Sequence, residues 1–150
     1  MEKRMRGGKI SELEVATACI KEGLSVFLPL VDDEAVDMVV RLSGGRHYDI
    51  QVKSCAGHNR IIGLPWQFIL DDAADNYVLV VAYRFPSKPS EFYYLTVEDL
   101  RSDQSLQVQP DATSWGDLIF NKAQRDRYKD RGLDALARFL KAKSEPEPAP

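Results

Sequence analysis

The chain has 150 residues, 44% of them hydrophobic, which is enough for one core and about one domain. No apolar run approaches the ~20 residues of a membrane span, and no hydrophobic segment of signal-peptide type follows the basic start MEKRMRGGKI. The formal net charge of −3 does not mark a nucleic-acid binder, and two cysteines, Cys19 and Cys55, without a CxxC pair argue against a zinc site and favour a reducing, cytoplasmic setting.

Lys9 to Glu22 reads as a helix, with Ile10, Leu13, Ala16, Thr17 and Ile20 as its apolar stripe and Gly23 placed to end it. Glu12 and Glu14 lie about 100° to either side of Leu13. Glu12 shares its edge with Ala16, Cys19 and Gly23, whereas Glu14 shares a wetter one with Ala18 and Lys21. Glu12 is therefore the better candidate for a functional acid at the core margin. A short strand, Leu24 to Leu28, follows and is closed by Pro29. Val31 to Glu34 is an acidic loop, whose Asp32 and Asp33 read as a turn signal or as alternative metal ligands.

Ala35 to Ser54 alternates in polarity on either side of Ser43-Gly44-Gly45 and predicts a hairpin with a three-residue loop. Val36, Met38, Val40 and Leu42 fall on one face of the first strand, and Tyr48, Ile50 and Val52 on one face of the second. An odd loop length brings these apolar faces together, because a one-residue slip would turn every side chain over. Asp37 then lies opposite Gln51, with Lys53 next along the polar face. An acid, an amide oxygen and an ammonium beside a buried sheet suit metal-dependent phosphodiester hydrolysis. Asp37, Gln51 and the Val52 carbonyl offer hard oxygen ligands to a divalent cation, and Lys53 can orient the attacking water. A solvated hairpin with a polar outer face explains the same alternation.

The stretch from Ser54 to Pro65 reads as a loop from which His58 and Arg60 can reach a substrate phosphate. Pro65 to Asp75 reads as a short helix with Trp66, Phe68 and Ile69 turned inward. Tyr77 to Tyr83 is the run of a strand buried on both faces, and Glu91 to Leu95 a strand nearer an edge. Thr96 and Asp99 have capping-box spacing, and Arg101 to Asp111 reads as loop. Trp115 to Phe120 carries a few apolar anchors, and a helix over Leu133 to Lys141 packs Leu133, Leu136, Phe139 and Leu140. Basic residues crowd both ends: Lys3, Arg4, Arg6 and Lys9 at the start, and Arg125, Arg127, Lys129 and Arg131 among those in the last helical region. They suit a phosphate backbone, or else a solvated amphipathic face. Residues 1–143 make a single domain, and the Pro/Glu tail, 144–150, is expected to be disordered. Helix, three strands, short helix and strand imply an α/β fold with a mixed sheet flanked by helices.

With Glu12, Asp37 and Gln51-Val52-Lys53 in that order, the chain resembles the PD-(D/E)XK nuclease superfamily over residues of about 7 to 83. The resemblance implies a restriction-endonuclease-like αβββαβ core and a Mg²⁺- or Mn²⁺-dependent DNA endonuclease, with a homodimer as its assembly. Glu12 matches the helix acid, Asp37 the metal-binding aspartate, and Gln51 and Lys53 the (D/E)XK element. Gln51 departs from the usual Glu or Asp, as in a glutamine variant of homing-endonuclease type, and the pattern is also similar to Holliday-junction resolvases. The implied metal set is Asp37, Gln51, Val52 and Glu12, with Lys53 on the attacking water. Lys9, His58, Arg60, Arg125, Arg127 and Lys129 are the expected DNA contacts. The alternative is a nucleic-acid-binding module that keeps the fold without the chemistry.

Overall fold

The computed structural model describes residues 2–30, 36–55, 60–107 and 116–145. Its elements are α1 (Glu2–Lys21), β1 (Ser25–Phe27), β2 (Met38–Arg41), β3 (His47–Cys55), β4 (Arg60–Leu64), β5 (Tyr77–Tyr83), β6 (Glu91–Thr96), α2 (Val97–Ser102), β7 (Gly116–Ile119), α3 (Lys122–Arg127) and α4 (Leu133–Ser144). Five strands form a sheet in the order β1-β2-β3-β5-β6, and β4 pairs with β7 in a second, two-stranded sheet. β3 and β5 run parallel while the other pairs of the large sheet are antiparallel, so that sheet is mixed.

The continuous apolar run of β5 is buried on both faces, as a central strand requires. Val78, Val80 and Ala82 join Met38, Val40, Ile50 and Val52 beneath Val15, Ala16 and Cys19 of α1 and Leu136 and Leu140 of α4. Tyr77, Leu79, Val81 and Tyr83 face the other way, into a core with Trp66, Ile69, Leu100, Leu118 and Phe120. The sheet therefore separates two cores, and period-two alternation assigns each strand residue to one of them. Leu133 and Phe139 pack at the margin of the first. β6 forms one edge, where the Tyr94 amide donates to the Arg131 carbonyl at 2.8 Å. The Thr96–Asp99 capping box starts α2 as its spacing predicts.

The hairpin turns at Ser43-Gly44-Gly45, where Gly44 and Gly45 adopt φ of 77° and 78°. Its ladder runs from Met38↔Ile50 to Arg41↔His47, the register that a three-residue loop dictates. The first strand is shorter than its alternation suggests. Asp37 stands one residue before the ladder and donates its amide to the Ile50 carbonyl at 2.8 Å, so Asp37 and Met38 both oppose Ile50 in the manner of a β-bulge.

Other expectations are corrected. α1 begins at Glu2 rather than Lys9. Its apolar stripe is largely turned outward: Ile10, Leu13 and Ile20 are 45%, 47% and 59% exposed, and of that set only Ala16 is buried. Ser11, Val15, Ala16 and Cys19 form the inward face, because the sheet surface beneath takes small side chains that let the helix lie close. The supposed loop after Lys53 contains β4, whose Arg60-Ile61 pairs with Leu118-Ile119 of β7. Gly63 cuts short the β-branched run Ile61-Ile62, which is why the alternation did not reveal a strand. The segment after Pro65 forms a π-helical turn over Phe68–Asp72; Trp66 and Ile69 are buried but Phe68 is 40% exposed. Arg101 and Ser102 finish α2, and Gln104–Leu106 makes a 3-10 turn that buries Leu106. Asp32, Asp33, His58, residues 108–115 and the tail from 146 lie outside the described residues, as does the Arg60 side chain.

Candidate active site

β3 presents Asp49, Gln51, Lys53 and Cys55 to the same side of the sheet as Tyr77, Leu79, Val81 and Tyr83 of β5, because the parallel register pairs Asp49 with Tyr77 and Cys55 with Tyr83. Asp37 reaches this polar row from β2. Its Oδ2 accepts the Val52 amide at 2.6 Å, which sets the carboxylate beside the Gln51-Val52 peptide. Instead of standing directly opposite Gln51 in the ladder, Asp37 thus meets β3 at its main chain.

Gln51 is one of the few buried polar residues, only 5% exposed, and its Oε1 accepts a hydrogen bond from the Tyr77 hydroxyl. The Tyr77 ring is itself buried and meets Phe68 edge-on at 5.7 Å. Burial first, then the Asp37 and Asp49 carboxylates, push the Tyr77 hydroxyl well above the ordinary phenol range, which keeps it a proton donor. Asp49 lies 3.5 Å from His47 on the same strand face. Tyr77 is the member of this cluster that the sequence reading missed, whereas Asp49 falls on the polar strand face that alternation predicts. Period two along YVLVVAY puts Tyr77 with Leu79, and a buried tyrosine hydroxyl requires a partner; the unread step was the β3–β5 register.

Glu12 rides on α1, which packs against the opposite face of the sheet. Its side chain is 15% exposed and accepts from Lys9 Nζ at 2.7 Å, whereas Glu14 is exposed. Arg84, just beyond β5, donates to the Gly7 carbonyl and ties the start of α1 to the end of the sheet where β3 and β5 finish.

At that end Arg125 stands over the Tyr83 ring, 4.7 Å from its centroid. Burial, with the Cys55 thiol next, pushes the Tyr83 hydroxyl up to about 12, and that hydroxyl donates to the Phe120 carbonyl. Arg127 lies 3.4 Å from Asp103, Arg131 2.8 Å from Asp99 and Lys122 2.7 Å from Asp126. Much of the basic C-terminal segment is thus engaged within the fold.

Among the described residues no group of three His, Cys, Asp or Glu side chains gathers to hold a metal. Two hard oxygens lie along this segment, the Asp37 carboxylate at the Val52 amide and Gln51 Oε1 at the Tyr77 hydroxyl, with one formal charge between them. These hard oxygens fit a divalent cation that keeps several waters, as Mg²⁺ does.

The architecture, a mixed five-stranded sheet with flanking helices, is that of the restriction-endonuclease-like fold. Among solved structures it is similar to a bacterial homing endonuclease, I-Ssp6803I, at 20% identity and a TM-score of 0.51, over 90% of this chain and 89% of the other. It is also similar to Hjc of Archaeoglobus fulgidus, a Holliday junction resolvase from an archaeal hyperthermophile, at 16% identity and a TM-score of 0.52, over 87% of this chain and 99% of the other. No family model and no curated protein matches the sequence.

Proposed function

We propose that the protein is a metal-dependent DNA endonuclease that hydrolyses phosphodiester bonds. The observation that carries this reading is the Asp37 carboxylate held against the Val52 amide, in the middle of Gln51-Val52-Lys53, on a fold shared with a homing endonuclease and a Holliday junction resolvase. A bound Mg²⁺ or Mn²⁺ supplies Lewis acidity toward the phosphate and a more acidic water. Asp37, Gln51 and the Val52 carbonyl would hold it; Glu12, carried by a helix on the opposite face of the sheet and paired with Lys9, is left out of this ligand set. The Lys53 ammonium orients the attacking water and offsets charge that develops on the phosphate. Lys9, His58, Arg60, Arg125 and Lys129 contact the DNA backbone, while Arg127 is engaged by Asp103 within the fold. The position of Arg125 beyond Lys53, over Tyr83, supports its share of that role. Two copies would cut two strands.

One observation favours a second reading, a DNA-binding module without chemistry: the amide at position 51 adds no charge and is already engaged by Tyr77. The two separate on a panel of duplex, branched and single-stranded DNAs incubated with Mn²⁺ and Mg²⁺. Metal-dependent cleavage is the expected result. Salt-sensitive binding with no cleavage on any substrate selects the second reading, and the absence of both rejects the two together.

A further inference from the structure

We propose that Tyr77 is the positioning residue that turns the Gln51 side chain into an oxygen ligand. The inference rests on the metal-dependent reading above and deepens it. A carboxylate at position 51 would offer an oxygen whichever way its end group turned. An amide presents oxygen on one side and a donating NH₂ on the other, and the NH₂ would repel a cation. Replacing acid by amide therefore creates a need for something that selects the orientation. Tyr77 supplies it, since its hydroxyl donates to Gln51 Oε1 and so directs the oxygen, not the nitrogen, to that side. One lone pair of Oε1 accepts this bond and the second is left to face a cation.

The ring that carries the hydroxyl has little room to move. Tyr77 is 2% exposed, packs edge-on against Phe68, and begins β5 in register with Asp49, two residues before Gln51 on the same strand face. The backbone there is pinned as well: the Tyr77 amide donates to the Ala74 carbonyl, and Asn76 bonds the main chain of Asp49 and, through its side chain, of His47. A donor held this firmly orients its acceptor, as partners behind a metal ligand generally do.

The test is a double-mutant cycle of Tyr77→Phe and Gln51→Glu, read by calorimetric titration of Mn²⁺ into the full chain without DNA and by the metal concentration for half-maximal cleavage. Tyr77→Phe keeps the ring and its contact with Phe68, and thermal melting establishes that each protein is folded. With glutamine kept at position 51, loss of the hydroxyl should weaken Mn²⁺ binding about tenfold. The metal requirement for cleavage should rise by more than the rate at saturating metal falls. In the Gln51→Glu background the same change should move metal affinity less than about threefold, because a carboxylate needs no selection of its face. A wild type that binds Mn²⁺ no more tightly than its Tyr77→Phe variant overturns this proposal alone, as does an equal loss in both backgrounds. A wild type that neither binds Mn²⁺ nor cleaves removes the metal-dependent reading and this proposal with it.

Discussion

Asp37 does two things at once, and they can be separated. Its Oδ2 satisfies the Val52 amide at 2.6 Å, and its charge is the only formal one in the proposed ligand pair. Asp37→Asn keeps an acceptor for that amide and removes the charge, whereas Asp37→Ala removes both. The Asn variant should lose cleavage while melting close to wild type. The Ala variant should in addition be about 1–3 kcal/mol less stable, the penalty for a donor left unpaired away from water. Lys53→Ala should lose cleavage with a stability change within about 0.5 kcal/mol, as a partly exposed strand residue. Full cleavage by purified Asp37→Asn or Lys53→Ala would remove the proposed site. At this scale the sequence was informative where strand alternation is rigid: one register puts Gln51 and Lys53 on one face of β3, and the glycine turn selects that register, but alternation carried into Asp37 fails because a bulge sets it against Ile50. It was silent about Tyr77 because parallel pairing between β3 and β5 joins residues 28 apart with no turn to set their alignment.

The elements differ in how far their sequences declare their surroundings. β5 announces burial on both faces through composition alone. α1 misleads, because its hydrophobic spacing suggests one inward stripe while closeness to the sheet selects another, Ser11, Val15, Ala16 and Cys19. The two choices make opposite forecasts. Leu13→Gln should change stability by no more than about 0.5 kcal/mol, while Val15→Ala should lose about 2 kcal/mol through lost burial and a cavity. Chemical denaturation checks both, and a reversed order would restore the outward stripe to the core. The turn after α2 makes a pH-dependent forecast. Burial works against the Asp103 carboxylate, but hydrogen bonds from Ser105 and Tyr128, helped by Arg127, outweigh it and hold the pKa below the ordinary 3.8. A folded pKa lowered in this way adds stability above the unfolded value, and that stability is lost as pH falls through the folded one. Asp103→Asn should thus be less stable than wild type at pH 7, and the gap should narrow as pH drops below about 4. A gap that stays constant down to acid unfolding would mean the charge at Asp103 contributes nothing.

For the molecule as a whole, the net charge of −3 conceals where cations are available to a phosphate backbone. The basic C-terminal segment looks uniform in sequence, yet its members have different jobs. Arg131 spans Asp99 and the rings of Tyr94 and Tyr128, at 4.9 and 5.8 Å from their centroids, and so helps tie the chain before α4 to β6 and α2. Arg127 supports buried Asp103. Lys129 is exposed, and Arg125 lies over Tyr83 at the end of the face that carries Lys53. Spacing along the segment cannot reveal these differences, because Asp103, Asp99 and the Tyr94 ring, which engage Arg127 and Arg131, come from distant parts of the chain. Removing charges one at a time should sort them. Lys129→Gln should melt with wild type, weaken binding to all duplex sequences alike, and lower the slope of log affinity against log salt by ~0.9, one phosphate contact. Arg125→Gln should lower the slope similarly, with a modest loss of stability from the vacated Tyr83 face. Arg131→Gln should leave the slope as it is and reduce stability by about 1–3 kcal/mol, since Asp99 and two aromatic faces lose their cation. Fluorescence anisotropy across a salt series, with melting curves on the same preparations, reads all three. Unchanged slopes for both Lys129→Gln and Arg125→Gln would make this segment a solvated flank of the fold and move the search for DNA contacts to the other basic end, around Lys9.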